Sequence, residues 1–416
     1  MTAPASFDVY QQIFALSWLS NNLKGSIGFR DDLEEKLYCI LSESLTVHGT
    51  PKKFEPQTPS EVVLDAIGDW ELVWGPSVLT PDKDTEGETE NAMFVARCTN
   101  VQAADGSDKD LPSKDMYVVS IAATNPYSVP DWVLEDGAVN TVVKWSDFLT
   151  EPNYDGTKIT QDENNKDAYI SQGTAMGVTK LLGMTPPDWS GPNAGTSLVK
   201  FLSGLDQSNS MLVLCGHSLA GALSPALALY LKSIAPSPVG GFRDVCVYPT
   251  AGATPGNRNF ADAYSAAYPP HAFGQSDVVI EEGKEYRNVN ARLWNHYDVV
   301  PHAWALLSHE DIDGNWSPMM ESIPTLYGWG LPEDVVRAVA AATARATASG
   351  AVYYTLPGIR LSGKPPEDAP TDLAGYLSDL GTEHVEAYVR NSWASSDTVG
   401  LILPLPLPDS EPKKKL

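Results

Sequence analysis

Basic residues are scarce in this chain: 28 Lys and Arg stand against 53 Asp and Glu in 416 residues, a formal net charge of −25. Nucleic acid calls for clustered cations, and so does electrostatic docking on anionic lipid, so neither is an expected partner. Cysteine is scarcer still, and four residues are too few for a disulfide framework. Cys215 and Cys246 lie in apolar, strand-like runs and read as buried thiols rather than a bridge, while Cys39 and Cys98 show no metal-ligand spacing. No apolar run of about 18 residues or more occurs, so no transmembrane helix is expected. The opening MTAPASFDVYQQIF has no basic region followed by an apolar core, so no secretory signal is expected. The compartment stays open, with the cytoplasm preferred to a secretion route the sequence does not show.

Apolar residues are not scarce. They make up 43% of the chain, enough for a substantial core and too many for disorder. Helical spacing of Val9, Ile13, Phe14, Leu16 and Leu19 predicts an amphipathic helix over 7–23, and a second helix is expected around Leu33–Leu41. The period then changes. Short apolar runs at Glu71–Trp74, Ala92–Cys98 and Met116–Ala123 read as strands, with 103–114 as an exposed hairpin connection. Beyond them, helices (Ala168–Leu182, Ser197–Leu205, Leu219–Ile234, Asn259–Ala267) alternate with strands (Met211–Cys215, Val245–Tyr248, Ala291–Trp294). Such alternation implies an α/β fold whose mostly parallel central sheet is covered by helices on both faces. Asp334–Ala348 and Thr382–Trp393 are further helices. Nothing resembles a linker, so residues 1–416 read as one domain, with 1–60 as an N-terminal helical extension.

The informative segment is MLVLCGHSLAGALSPALALYL. Its Gly216-His217-Ser218-Leu219-Ala220 is a near match to G-x-S-x-G, the strand-to-helix turn that holds a nucleophilic serine in strained backbone, with Ala in place of the last glycine. An apolar strand runs into Gly216 and a long apolar helix begins after Ser218, as the turn requires. Serine needs a base, and the base an orienting acid. Asp298, in RLWNHYDVVP after a strand, is where a loop acid belongs. His384, in GTEHVEAYVRNSW at the start of a helix, is the candidate base. His302 and His309 lie too near Asp298 to come from a separate loop and read as surface or packing residues, and His217 as packing beside the elbow. The backbone N–H of Leu219 is one candidate oxyanion donor. The second is expected after Met116–Ala123, from Thr124 or its rival Asn125. Asp311-Ile312-Asp313-Gly314-Asn315 resembles part of a calcium loop, but the full D-x-[DN]-x-[DN]-G-x5-E pattern is missing and it reads as a solvated turn. No glycine-rich phosphate loop or zinc spacing occurs, so no cofactor or metal is expected.

Taken together, these residues resemble the class 3, fungal-type lipases. GHSLAGAL is similar to that family's GHSLGGAL, and VVSIAATNPYSVPDW to its oxyanion strand and loop, although Ala122-Ala123 stands where the family has Arg-Gly. AYISQGTAMG resembles H-x-G-F, and YPTAGATPGNRNFA resembles T-F-G-x-P-x-x-G-N-x-x-F across Pro255, Gly256 and Asn257. WNHYDVVPHA and EHVEAY look like the segments that carry the acid and the histidine. The six motifs fall in family order over roughly residues 90–395, with a longer stretch at 309–380. The resemblance implies an α/β-hydrolase fold and a serine hydrolase of lipid esters, triacylglycerol lipase-like. In it Ser218 is the nucleophile, Asp298 the orienting acid and His384 the general base. It also implies transient contact with a lipid–water interface and a lid over an acyl groove, for which Pro130–Phe148 (Trp132, Trp145) and Trp316–Ala348 (Trp316, Tyr327, Trp329) are candidates. No protein partner is expected. The rivals are a phospholipase A1, an acyltransferase or soluble esterase with the same triad, and a non-catalytic hydrolase-like binding protein.

Overall fold

The computed structural model describes residues 4–23, 25–82, 84–123, 138–161, 165–327, 332–361, 370 and 372–388. Seven strands form its main sheet: β1 (Glu71–Leu79), β2 (Asn91–Cys98), β3 (Asp115–Ala123), β4 (Ser210–His217), β5 (Asp244–Thr250), β6 (Arg292–Asn295) and β7 (Gly358–Leu361). Their spatial order is their chain order reversed, β7 to β1. Strands β3 to β7 are mutually parallel, and β1 and β2 add an antiparallel margin. The helices used below are α1 (Val9–Leu19), α2 (Arg30–Ser42), α3 (Gln172–Gly183), α4 (Leu219–Ser233), α5 (Arg258–Ala267), α6 (Glu333–Ala348) and α7 (Leu373–Gly381).

Alternation along the strands divides the core. Met211, Val213 and Cys215 of β4 pack with Val118 of β3 and with α1 and α2 on one face. Leu212 and Leu214 pack with Val119 and Ile121 and with α3, α4 and α5 on the other. Both faces of β4 are buried along its whole length, which is why its sequence is a continuous apolar run. All four cysteines are free, and Cys98, Cys215 and Cys246 are buried.

Three expectations need correction. Residues 169–171 form a short strand paired with Val142–Lys144, and only then does α3 begin, capped by the Ser171 hydroxyl on the Thr174 N–H. Helix α1 is buried on every side rather than amphipathic. Asp8 and Gln11 form a reciprocal cap at its start, and Gln12 donates to the carbonyls of Phe7 and Gln102. The Asp311–Asn315 turn is solvated at Gly314 but not at Asp311, which is buried and acts as a clip. Asp311 accepts from the Gly358 N–H at 2.7 Å, and Asp313 from the Arg360 N–H at 2.7 Å. Those two bonds fasten β7, the strand missing from the sequence reading. The 309–380 stretch therefore supplies the sheet's edge.

Candidate active site

Strand β4 delivers Ser218 at its carboxyl end, where the backbone turns into α4 with φ 63° and ψ −128°. A left-handed φ on a residue with a side chain is strained, and the packing around the turn enforces it. Gly216 faces Ala220 so closely that a Cβ on Gly216 would lie 2.6 Å from the Ala220 carbonyl oxygen. The two positions share one space, so alanine fits at 220 because 216 has no side chain. Behind them Gly221 passes the loop after β5, where an added Cβ would meet the Thr250 carbonyl oxygen at 2.3 Å.

The Ser218 hydroxyl does not cap its helix. It donates instead to His384 Nε2 at 2.7 Å, while His384 Nδ1–H donates to Asp298 Oδ2 at 2.8 Å. Asp298 follows β6 and turns back on itself, its Oδ1 accepting the Val300 N–H at 3.0 Å. His384 lies on a wide helical turn after α7, fixed by Asn295, whose amide donates to both the Glu383 carbonyl and the Glu383 carboxylate. Asp298 and His384 are fully buried and Ser218 nearly so.

A second layer holds the imidazole. The Tyr388 hydroxyl, one helical turn after His384, donates to Asp298 Oδ2 and accepts from the Asn295 N–H at 2.9 Å. Burial, reinforced by the Asp298 charge, pushes the Tyr388 phenol far above its ordinary value, so it stays a donor. His217 shares a hydrogen bond with Thr250 Oγ1 at 2.9 Å and donates from Nε2 to the His384 carbonyl at 2.8 Å. The Trp18 ring of α1 meets the His217 ring edge-on, 5.4 Å between centroids.

The structure thus brings Ser218, Asp298 and His384 together, and places His217 as packing. His302 is buried and bonded to Ser322 Oγ at 2.7 Å, and His309 stacks on Tyr354, so neither joins the cluster. Leu219 begins α4 with its N–H at the positive end of the helix. Thr124 and Asn125 lie outside the described residues, as do Trp132 and Trp329. Trp145 is a core residue packed on Phe148 and Phe260, Tyr327 is buried, and Trp316 is 72% exposed. The sequence reading missed the roles of Tyr388, Asn295 and Thr250. For Tyr388 a signal was available, since it lies at i+4 from His384 in a helical pattern.

A cavity of about 510 Å³ starts at Leu219, beside Ser218, and lies within the range of small-molecule sites. Ala138, Val139, Met176, Leu223 and Trp304 give it apolar walls, and an ion pair between Lys180 and Glu90 at 2.8 Å stands at its rim.

Residues 141–307 match the model of the class 3 lipases, a stretch that contains the elbow and the acid loop. Over that stretch the chain is class 3 lipase-like. It is a carboxylic ester hydrolase, lipase-like, with an α/β-hydrolase fold. Among solved structures it is similar to M37 lipase (22% identity, 95% of this chain and 98% of that one, TM-score 0.62). It also matches a mutant form of MDLA from Penicillium cyclopium (15% identity, 70% and 72% covered, TM-score 0.35). A comparison with curated proteins finds none that matches by sequence. Among the described residues, no helix is long and apolar enough to cross a membrane.

Proposed function

We propose that residues 1–416 form one α/β-hydrolase domain that cleaves carboxylic esters of lipids, acylglycerols foremost, through an acyl-enzyme on Ser218. The observation that carries this reading is the unbroken line from the strained Ser218 through His384 to Asp298, with spacings of 2.7 and 2.8 Å. In the first half-reaction Ser218 Oγ attacks the ester carbonyl while its proton passes to His384 Nε2, and Asp298 steadies the imidazolium. The Leu219 N–H at the start of α4 is one donor to the oxyanion, with Thr124 or Asn125 as the other. Collapse expels the alcohol, which takes the proton from His384. Water, deprotonated by the same imidazole, then frees the acid and restores the serine. The apolar cavity next to Leu219 suits an acyl chain, and exposed Trp316 and Leu307 suit transient contact with a lipid–water interface.

An alkyl phosphonate tests the nucleophile: one label per chain on wild-type protein and none on Ser218→Ala is expected. Wild-type protein left unlabelled in detergent at neutral pH would leave a binding protein as the reading. Rates on triolein, phosphatidylcholine and short nitrophenyl esters test the substrate class, with triolein expected to lead. Preference for phosphatidylcholine indicates a phospholipase A1, and activity confined to soluble esters overturns the lipid assignment. Added alcohol captured in place of water would reassign the reaction as acyl transfer.

A further inference from the structure

At the other end of β5 from the elbow, Asp244 and Cys246 occupy alternate positions and so share one face of the strand. His271, after α5, is held beside them by paired backbone bonds with Val289 at 3.3 and 2.9 Å. Cys246 Sγ lies 3.3 Å from Asp244 Oδ2, and His271 Nε2 lies 3.8 Å from the same oxygen. All three donor atoms fall within 4.8 Å of one another, and no other such trio occurs among the described residues.

The orientation of the imidazole is the telling detail. His271 Nδ1–H donates to the Pro269 carbonyl at 3.0 Å, so in the neutral ring the Nε2 lone pair faces the carboxylate. A carboxylate, a sulfur and an imidazole lone pair aimed at one point repel one another unless a proton or a cation lies between them. Carbonyl-anchored imidazoles of this kind are what metal sites use to fix the ligating nitrogen. Lys232 is the nearby cation bearing on the Cys246 thiol, but its ammonium is engaged by the Ala267 carbonyl and lies over the Tyr268 ring.

We propose that Asp244, Cys246 and His271 form a binding site for one zinc-class divalent ion, with water as the fourth ligand. Tetrahedral zinc, with bonds of about 2.3 Å to sulfur and about 2.0–2.1 Å to nitrogen or oxygen, sets ligand atoms roughly 3.4–3.6 Å apart. The observed spacings of 3.3 and 3.8 Å bracket that range. Mixed thiolate, imidazole and carboxylate donors favour zinc over calcium or magnesium, which take oxygen. Binding replaces the Cys246 S–H bond with a sulfur–metal bond and releases that proton to solvent, together with the Nε2 proton where the ring is charged. The partly exposed Asp244 and His271 side chains give the ion its entry and its water, while Cys246 is fully buried. Lying at the far end of the sheet from Ser218, the ion clamps β5 to the 268–272 loop and takes no part in ester cleavage.

Protein stripped by a chelator and titrated with Co²⁺ and with Zn²⁺ tests this. One ion per chain, a near-ultraviolet thiolate-to-cobalt absorption band and a rise in Tm with Zn²⁺ are expected, with the esterase rate unchanged. Cys246→Ser should abolish the band, and the surface-accessible His271→Gln should weaken affinity at least tenfold while folding normally. A cluster held by protons alone would show no band and no zinc-dependent Tm, and the proposal fails. Binding that persists unaltered in His271→Gln overturns it equally.

Discussion

The Tyr388 hydroxyl and His384 Nδ1–H converge on the same oxygen of Asp298, each at 2.8 Å. Two donors on one lone-pair-bearing atom share the carboxylate's charge, and the phenol fixes the carboxylate plane that the imidazole must match. Tyr388→Phe keeps the ring in its buried slot and removes only that donor. We expect kcat to fall about three- to tenfold with KM unchanged, and stability to drop by roughly 1–2 kcal/mol. An unaltered kcat would show that His384 is oriented without it.

Replacing Asp298 with Asn should be far more damaging. The amide presents a donor to His384 Nδ1 and selects the wrong tautomer, so kcat is expected to fall by about four orders of magnitude with the fold intact. Circular dichroism alongside initial rates separates this from unfolding.

At the elbow, the shared space between Gly216 and Ala220 makes opposite forecasts for two small changes. Ala220→Gly restores room and should cost only about 1 kcal/mol through helix propensity, leaving activity near wild type. Gly221→Ala drives a methyl into the Thr250 carbonyl at 2.3 Å and should destabilise by about 3 kcal/mol or prevent folding. Urea midpoints compare the pair directly.

Glu34 gives a pH-dependent stability of unusual sign. Burial lifts its carboxyl from 4.5 to about 7, against the opposing bond from the Val78 N–H. The folded state therefore holds this proton more tightly than the unfolded chain. Its contribution is complete below about pH 4.5 and is lost as pH rises through 7. Glu34→Gln should leave stability unchanged at pH 4.5 and raise it by on the order of 2–3 kcal/mol at pH 8.5. Equal Tm values at the alkaline end would refute this.

His302 works in the other direction. Burial, the leading cause, lowers its imidazole to about 3, so it stays neutral between Ser322 and the His296 carbonyl. The unfolded chain takes up a proton here that the folded chain refuses, so stability present above about pH 6.5 declines as pH falls toward 3. His302→Asn should flatten the fall in unfolding free energy between pH 6.5 and 4, seen as a shallower acid limb.

Much of this was legible in the chain. β4 could be read because both its faces are buried, so its apolar run is continuous, and the elbow because its glycines answer to contacts of 2.3–2.6 Å. The acid could be read because it follows the end of a recognisable strand, and the histidine because it opens the helical pattern of EHVEAY. β7 could not: Gly358-Ile-Arg-Leu is four residues long and gets its register from Asp311 and Asp313, 47 residues upstream. Tyr169–Ser171 was absorbed into a helix because the residues after it have helical spacing. The Asp244–Cys246–His271 trio was invisible for a similar reason: its third member arrives from a loop after an intervening helix, outside any short-range ligand spacing.

Helix α1 sets a problem of timing. It leaves the ribosome mostly apolar, yet its neighbours belong to strands made far later: Leu16 receives the Ser120 hydroxyl, and Trp18 rests on His217. At about 5–20 residues per second, roughly ten to forty seconds of synthesis separate the helix from its seat under β4. During that interval its oily surface has nowhere to go, which makes the nascent chain a client for chaperones and this segment a costly place to add bulk.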